Sequence, residues 1–152
     1  MATKRATQDE VYAAIAGLQR LADAFWRRRE QLALSVGLSD GQWGVLEEIA
    51  SQHFMPSMFA RTRSSSAAAV SKTLRQLIDK GLVHASLSET DGRQRHYELT
   101  AKGDRIMQAL RAERERAIAT IWNPMGRDQI SAFTEFATTL AARLETYKDK
   151  DT

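Results

Sequence analysis

Lys72 and Arg75 stand three residues apart behind a run of serines, Ser64 to Ser66, while Arg93 and Arg95 stand two apart just past Asp91-Gly92. Hydroxyl, ammonium and guanidinium donors in such clusters suit phosphate oxygens and, for arginine, guanine edges. Other chemistries lack their residues. There is no Gly-rich phosphate loop, no His-Glu-x-x-His and no Gly-x-Ser-x-Gly, and the three histidines, His53, His84 and His96, are scattered. His84 and His96 fall on two expected strands that could be neighbours, but two histidines alone are too few ligands for a metal. The chain has no cysteine, which excludes disulfides, thiolate zinc sites and a thiol redox switch. The expectation is a binding protein, with no catalytic residues, cofactor or metal.

The donors must be carried by elements that aim them outward together. Ser66 has the residue type that caps a helix N-terminus, and Val70, Leu74, Leu77 and Ile78 recur as one buried stripe, with Gly81 as the left-handed residue that ends the run. The opposite side holds Ala68, Ser71, Lys72 and Arg75, small near the start and cationic further along, as a helix laid into a DNA major groove requires. The serines directly before the helix favour phosphate contacts from hydroxyls and helix-start N–H groups. Leu82 to Leu87 and Arg95 to Leu99 read as strands, and Asp91-Gly92 between them signals a tight hairpin whose tip carries Arg93 and Arg95. A short helix, a polar break, this second helix and a basic hairpin predict a winged helix-turn-helix over residues 38–100. Charge agrees: between Pro56 and Gly103 eight cations face four anions, so the excess lies in this segment although the whole chain carries only +3. Lys80 and Lys102 flank helix ends, where they can instead complement helix dipoles.

With these motifs assembled, the run D91-G-R-Q-R-H-Y-E-L-T-A-K-G103 resembles the wing signature of the MarR (multiple antibiotic resistance regulator) family, an Asp-x-Arg pair followed by a strand ending Leu-Thr-x-x-Gly. The spacing of Ala60, Ser66, Val70, Ser71, Leu74, Leu77 and Gly81-Leu82-Val83 is similar to that family's helix-turn-helix. Two departures stand out: Arg63 and Ser65 occupy positions usually apolar in the family, and Gly92 a position where a second basic residue is common. The resemblance implies a homodimeric transcriptional regulator, a repressor, reading a pseudo-palindromic duplex. In that arrangement Arg93, held by Asp91, enters the minor groove. It also implies a small aromatic or phenolic effector between the dimer helices and the winged core, for which Trp26, Trp43 and Arg20 are the candidates here.

The flanks fit a paired scaffold. Val11, Ile15 and Leu18 recur along a helix expected from Asp9 to about Leu34, and Ile130, Phe133, Ala137, Leu140, Leu144 and Tyr147 alternate by three and four along a last helix. Between them a helix capped by Thr100 runs to about Trp122, where Asn123-Pro124 breaks it. Residues 9–34 and 101–148 are therefore expected to be dimerisation helices. Residues 1–8 are polar and expected to fray, and Arg27-Arg28-Arg29 points in three directions, so a solvated or dipole-complementing role is expected there. Ser39 and Gln42 have capping-box spacing, with Leu38 and Trp43 placed as a staple. At 152 residues, 43% hydrophobic and 27% charged, the chain reads as one domain, mainly α with a small β-hairpin. With no long apolar run and no apolar signal core, it is expected to act in the cytoplasm, away from membranes. A winged-helix protein-interaction module without specific DNA binding is the alternative, supported by polar Arg63 and Ser65 and the small Ala67-Ala68-Ala69 start.

Overall fold

The computed structural model describes residues 4–51, 54, 56–63, 65–90 and 92–147, apart from the side chains of Ser57 and Thr62. Helices α1 (Gln8–Ser35), α2 (Asp40–Ala50), α3 (Pro56–Thr62) and α4 (Ala67–Asp79) lead into an antiparallel hairpin of β1 (Val83–Leu87) and β2 (Arg95–Leu99). Helix α5 (Ala101–Ala117), a π-helical stretch (Ile118–Trp122) and α6 (Arg127–Thr146) complete the chain. The fold is mainly helical with one small hairpin, as the sequence predicts. Two compact units are present, residues 1–111 and residues 112–152.

In the first unit the periodic apolar residues find one another. Val70, Leu74 and Leu77 of α4 pack with Trp43, Leu46 and Ile49 of α2, Leu32 and Ala33 from the end of α1, Leu82, Val83 and Leu110. Each fully buried leucine contributes about 1.5–3 kcal/mol by leaving water. This core holds the inner side of α4 and leaves its outer side in solvent.

Short-range signals set the element ends. Ser39 and Gln42 form the expected capping box, with Gln42 N donating to Ser39 Oγ at 3.1 Å and Ser39 N to Gln42 Oε1 at 3.1 Å. Ser66 Oγ accepts from Ala69 N at 3.1 Å, opening α4, and Gly81 at φ 72° closes it. Thr100 Oγ1 accepts from Gly103 N at 3.1 Å and donates to the Gly81 carbonyl at 2.6 Å, so one hydroxyl caps α5 and ties it to the end of α4. Gly103 sits against that junction: a Cβ on it would lie 2.2 Å from the Leu82 carbonyl oxygen.

Three local expectations are corrected. Thr7 does not fray; it forms a capping box with Glu10, whose carboxylate accepts from Thr7 N at 2.7 Å and from its hydroxyl at 3.0 Å. Those bonds hold the Glu10 carboxyl below its ordinary pKa, the backbone N–H first and the hydroxyl second. The last turn before Asn123-Pro124 is π-helical, with Asn123 N reaching the Ile118 carbonyl at 3.0 Å, because Pro124 has no N–H with which to extend the α ladder. The hairpin is also less tight than Asp91-Gly92 suggests: pairing ends at Leu87 with Arg95, and Ser88 N bonds the Gln94 carbonyl at 2.8 Å, leaving a wider loop at the tip.

Candidate nucleic-acid interface

The reading face starts at the break before α4. Ser65 and Ser66 are exposed there, and along the outer side of α4 Ala68, Ser71, Lys72 and Arg75 are all exposed. Ser65 N donates to the Ala60 carbonyl at 2.8 Å, which fixes the turn against α3. The side chains at the N-terminal end are short, so another backbone can approach closely, and the cations follow one turn later. Among the described residues no acidic group forms an ion pair with Lys72 or Arg75, so both cations are available to an external phosphate.

Helix α4 is held by more than apolar packing. Gln42 is buried on α2 and its amide donates to Gln76 Oε1 on α4 at 3.0 Å, so a polar pair fixes the rotation of the helix about its axis. Lys80 Nζ donates to the Gly37 carbonyl at 2.7 Å and Lys102 Nζ to the Lys80 carbonyl at 3.0 Å. These two cations serve helix ends, as their flanking positions suggest: Lys80 ties the far end of α4 to the turn after α1, and Lys102 ties it to the start of α5.

The hairpin carries the second cluster. Arg93 and Arg95 are exposed, Arg95 at the last paired position of β2 and Arg93 in the loop beyond it. The Ser88 and Thr90 hydroxyls lie 3.1 Å apart in the same loop. His84 is paired in register with Glu98 and His96 with Ser86, so the two histidines do not stand opposite each other; His96 Nε2 instead lies 3.2 Å from Glu98 Oε1. Ser64 and Asp91, both expected at the interface, lie outside the described residues, as does His53.

The effector candidates are placed differently from one another. Trp43 is 3% exposed within the core and its indole N–H has no partner among the described residues, whereas Arg20 and Trp26 are exposed on α1, Trp26 edge-on to Phe25 at 5.5 Å. A cleft of about 230 Å³ does exist in this unit, but none of the three lines it. Arg29 does, and its role departs from the expected solvated one. Its guanidinium lies 3.9 Å from the centroid of the Trp43 ring, pairs with Asp40 and bonds Glu47 Oε2 at 3.1 Å. Only Arg27 and Arg28 of the arginine triplet point to solvent.

The seam residues are uncovered within the chain. Val11, Ile15 and Leu18 are each 46% exposed, in a stretch that also exposes Tyr12, Leu21, Phe25 and Trp26. Helix α6 buries no residue at all: Phe133, Leu144 and Tyr147 are exposed, and Ile130, Ala137 and Leu140 half-buried. No helix among the described residues is long and apolar enough to cross a membrane.

Comparison with known proteins agrees with this geometry. Residues 36–94 match the model of the MarR family. The fold is similar to that of a MarR family transcription regulator, SP03579, with a TM-score of 0.81 at 20% identity over 90% of this chain and 91% of the other. Staphylococcus aureus MarR, solved in complex with salicylate and kanamycin, is 19% identical over 93% of this chain and 96% of its own, with a TM-score of 0.73. Staphylococcus aureus MepR, solved as a DNA complex, is 14% identical over 91% and 98%, with a TM-score of 0.68. No curated protein matches the sequence. The matched segment carries α2, the exposed cationic side of α4 and the first strand of the hairpin with its tip, and it is this winged helix-turn-helix segment of the chain that is similar to the MarR family.

Proposed function

We propose that the protein is a homodimeric repressor that binds a pseudo-palindromic operator, with one α4 per half-site in the major groove and one hairpin in the neighbouring minor groove. Ser64, Ser65, Ser66, Ala68, Ser71, Lys72 and Arg75 contact the major groove and its phosphates, while Arg93 and Arg95 reach the minor groove with Asp91 orienting Arg93. The observation that carries this reading is the division of α4 into a side locked in the core and an exposed side that is small and then cationic. The DNA complex of MepR, which shares the fold, supports it.

The winged core is read as residues 38–100 and the dimerisation helices as 9–34 and 101–148. Support comes from the exposed seams: apolar side chains left in water at this density on α1 and α6 favour burial against a second copy. A small aromatic or phenolic effector releases the DNA, a reading supported by the salicylate complex of Staphylococcus aureus MarR. The protein acts in the cytoplasm, where its operator is.

Selection of bound duplexes from random DNA tests the reading, with half-site spacing and symmetry as readouts. On the selected operator, Arg93→Ala is expected to cost on the order of 1–3 kcal/mol of binding while sedimentation still shows a dimer. Unchanged affinity and salt slope in that variant would remove the hairpin from the mechanism. The protein-interaction alternative draws on the exposed Ala67, Ala68 and Ala69, and failure to select any duplex, together with shallow salt dependence, favours it.

A further inference from the structure

Val11, Ile15, Leu18, Ala22 and Phe25 follow one another along α1 at alternating intervals of four and three, so they share one stripe of the helix, and the next two places in the repeat are Arg29 and Leu32. The stripe changes hands at Arg29. Before it the side chains are exposed or half-buried, whereas Leu32 beyond it is buried in the core that α2 and α4 share. An arginine in an otherwise apolar seam is a poor adhesive, and in paired helices a polar residue at such a place serves to fix one alignment.

Arg29 is held at three points on α2. Its Nε pairs with Asp40, its Nη2 donates to Glu47 Oε2 at 3.1 Å, and the guanidinium lies 3.9 Å from the centroid of the Trp43 ring. Asp40 and Glu47 stand seven residues apart, about two helical turns, with Trp43 between them, so contacts from both turns of α2 converge on one side chain of α1. A planar fork bonded to two carboxylates and stacked on a ring can neither slide along α2 nor rotate against it without losing a contact. Helix α2 carries the alignment to the reading helix: Gln42 Nε2 donates to Gln76 Oε1 of α4 at 3.0 Å while Gln42 Oε1 accepts from Ser39 N at 3.1 Å, so its amide is engaged at both ends.

We propose that Arg29 is a positioning residue that sets the half-site spacing the protein accepts: it locks the winged core at one angle on α1, and a dimer paired along the exposed part of the same stripe then presents its two α4 helices at one separation. The inference deepens the homodimeric operator reading above and rests on it. Inserting one base pair between half-sites moves the second by about 3.4 Å along the duplex and about 35° around it, so only a scaffold that does not yield between α1 and α2 rejects the longer site. Arg29 does this without touching DNA.

The duplex selected from random DNA, together with versions carrying one base pair more or fewer between half-sites, is titrated with the parent chain, Arg29→Met and Arg29→Lys. Methionine keeps a long stem against Trp43 and lysine keeps the charge, but neither can hold two carboxylates from one plane. The parent is expected to lose about tenfold or more in affinity on either altered spacer, and both variants less than about threefold, with half-site sequence preference and salt slope unchanged. A general weakening on all three duplexes with the parent's discrimination intact, or full rescue of that discrimination by lysine, would overturn the proposal. A second measurement uses no DNA. The chain has no cysteine, so Asp79→Cys, exposed at the end of α4, takes one nitroxide per subunit, and pulsed electron paramagnetic resonance reads the distance between subunits. Arg29→Met should broaden that distribution about twofold, and an equal width in a dimeric protein overturns the clamp alone. A parent that selects no duplex but shows the broadening removes the operator reading and leaves the clamp standing, whereas a monomeric parent overturns both.

Discussion

Replacing Gly103 by alanine tests whether the junction between α4, the hairpin and α5 is as close as the geometry says. The new Cβ would stand 2.2 Å from the Leu82 carbonyl oxygen, where real contacts of this kind begin near 3.0 Å, so backbone must give by about 0.8 Å. That carbonyl already accepts from Thr100 N at 3.0 Å, and the Thr100 hydroxyl holds Gly81 at 2.6 Å, so the shift strains two hydrogen bonds as well. Overpacking of this kind costs about 1–3 kcal/mol, and each weakened bond about 0.5–1.5 kcal/mol. The better helix propensity of alanine returns at most about 1 kcal/mol. The net is a loss of roughly 2–3 kcal/mol, or a fall in melting temperature of roughly 5–10 °C for a chain of this size. Thermal unfolding by circular dichroism measures it, at matched protein concentration because an associating protein melts higher when concentrated. Gly44→Ala is the control: its Cβ meets open space in a helix interior, so stability should rise by about 0.5–1 kcal/mol. A Gly103→Ala variant that melts with or above the parent would refute the reasoning.

Other substitutions probe the remaining supports. Arg29→Ala removes the group stacked on Trp43 and bonded to Glu47, and should cost about 1–2 kcal/mol in urea unfolding, with a change in tryptophan emission; a silent substitution would leave the stack without energetic weight. Replacing Lys72 and Arg75 together should lower the slope of log affinity against log salt by about 1–2, read by titration at several salt concentrations, and an unchanged slope would place both cations away from phosphate. The Glu10 carboxyl is held below its ordinary pKa by Thr7, so its contribution is present above the usual carboxylate range and lost as pH falls through its lowered folded value. Acid titration of the parent should show that loss near the start of α1, and Glu10→Gln should not.

What could be read from the chain and what could not divide by the range of the interaction. The cap at Ser66, the stripe Val70, Leu74 and Leu77, and the stop at Gly81 depend on neighbours within one or two turns, so residue type and spacing suffice to place α4 and its solvent side. Arg29 is different. In sequence it is one of three arginines with no local distinction, and only the packing of α1 on α2 singles it out by bringing Trp43, Asp40 and Glu47 around it. Gly103 is visible as part of a motif, but the reason for it, the Leu82 carbonyl, comes from a different element. The cleft is less visible still, because it opens where Gly44 lacks a side chain and its walls come from three other helices. Thr7 and Glu10 did carry a legible signal, the capping-box spacing already recognised at Ser39 and Gln42.

The hydroxyl of Thr100 bonds the end of the reading helix at Gly81 while its N–H bonds Leu82, at the foot of the hairpin. One residue thus fastens the two parts that would touch adjacent grooves, and Lys102, donating to the Lys80 carbonyl, adds a second fastening at the end of α4. For the proposed operator this makes the protein the stiff member of the pair. Any mismatch in groove width between the two contacts must be absorbed by the duplex, so base steps that neither contact reaches would still be selected, through how readily they flex.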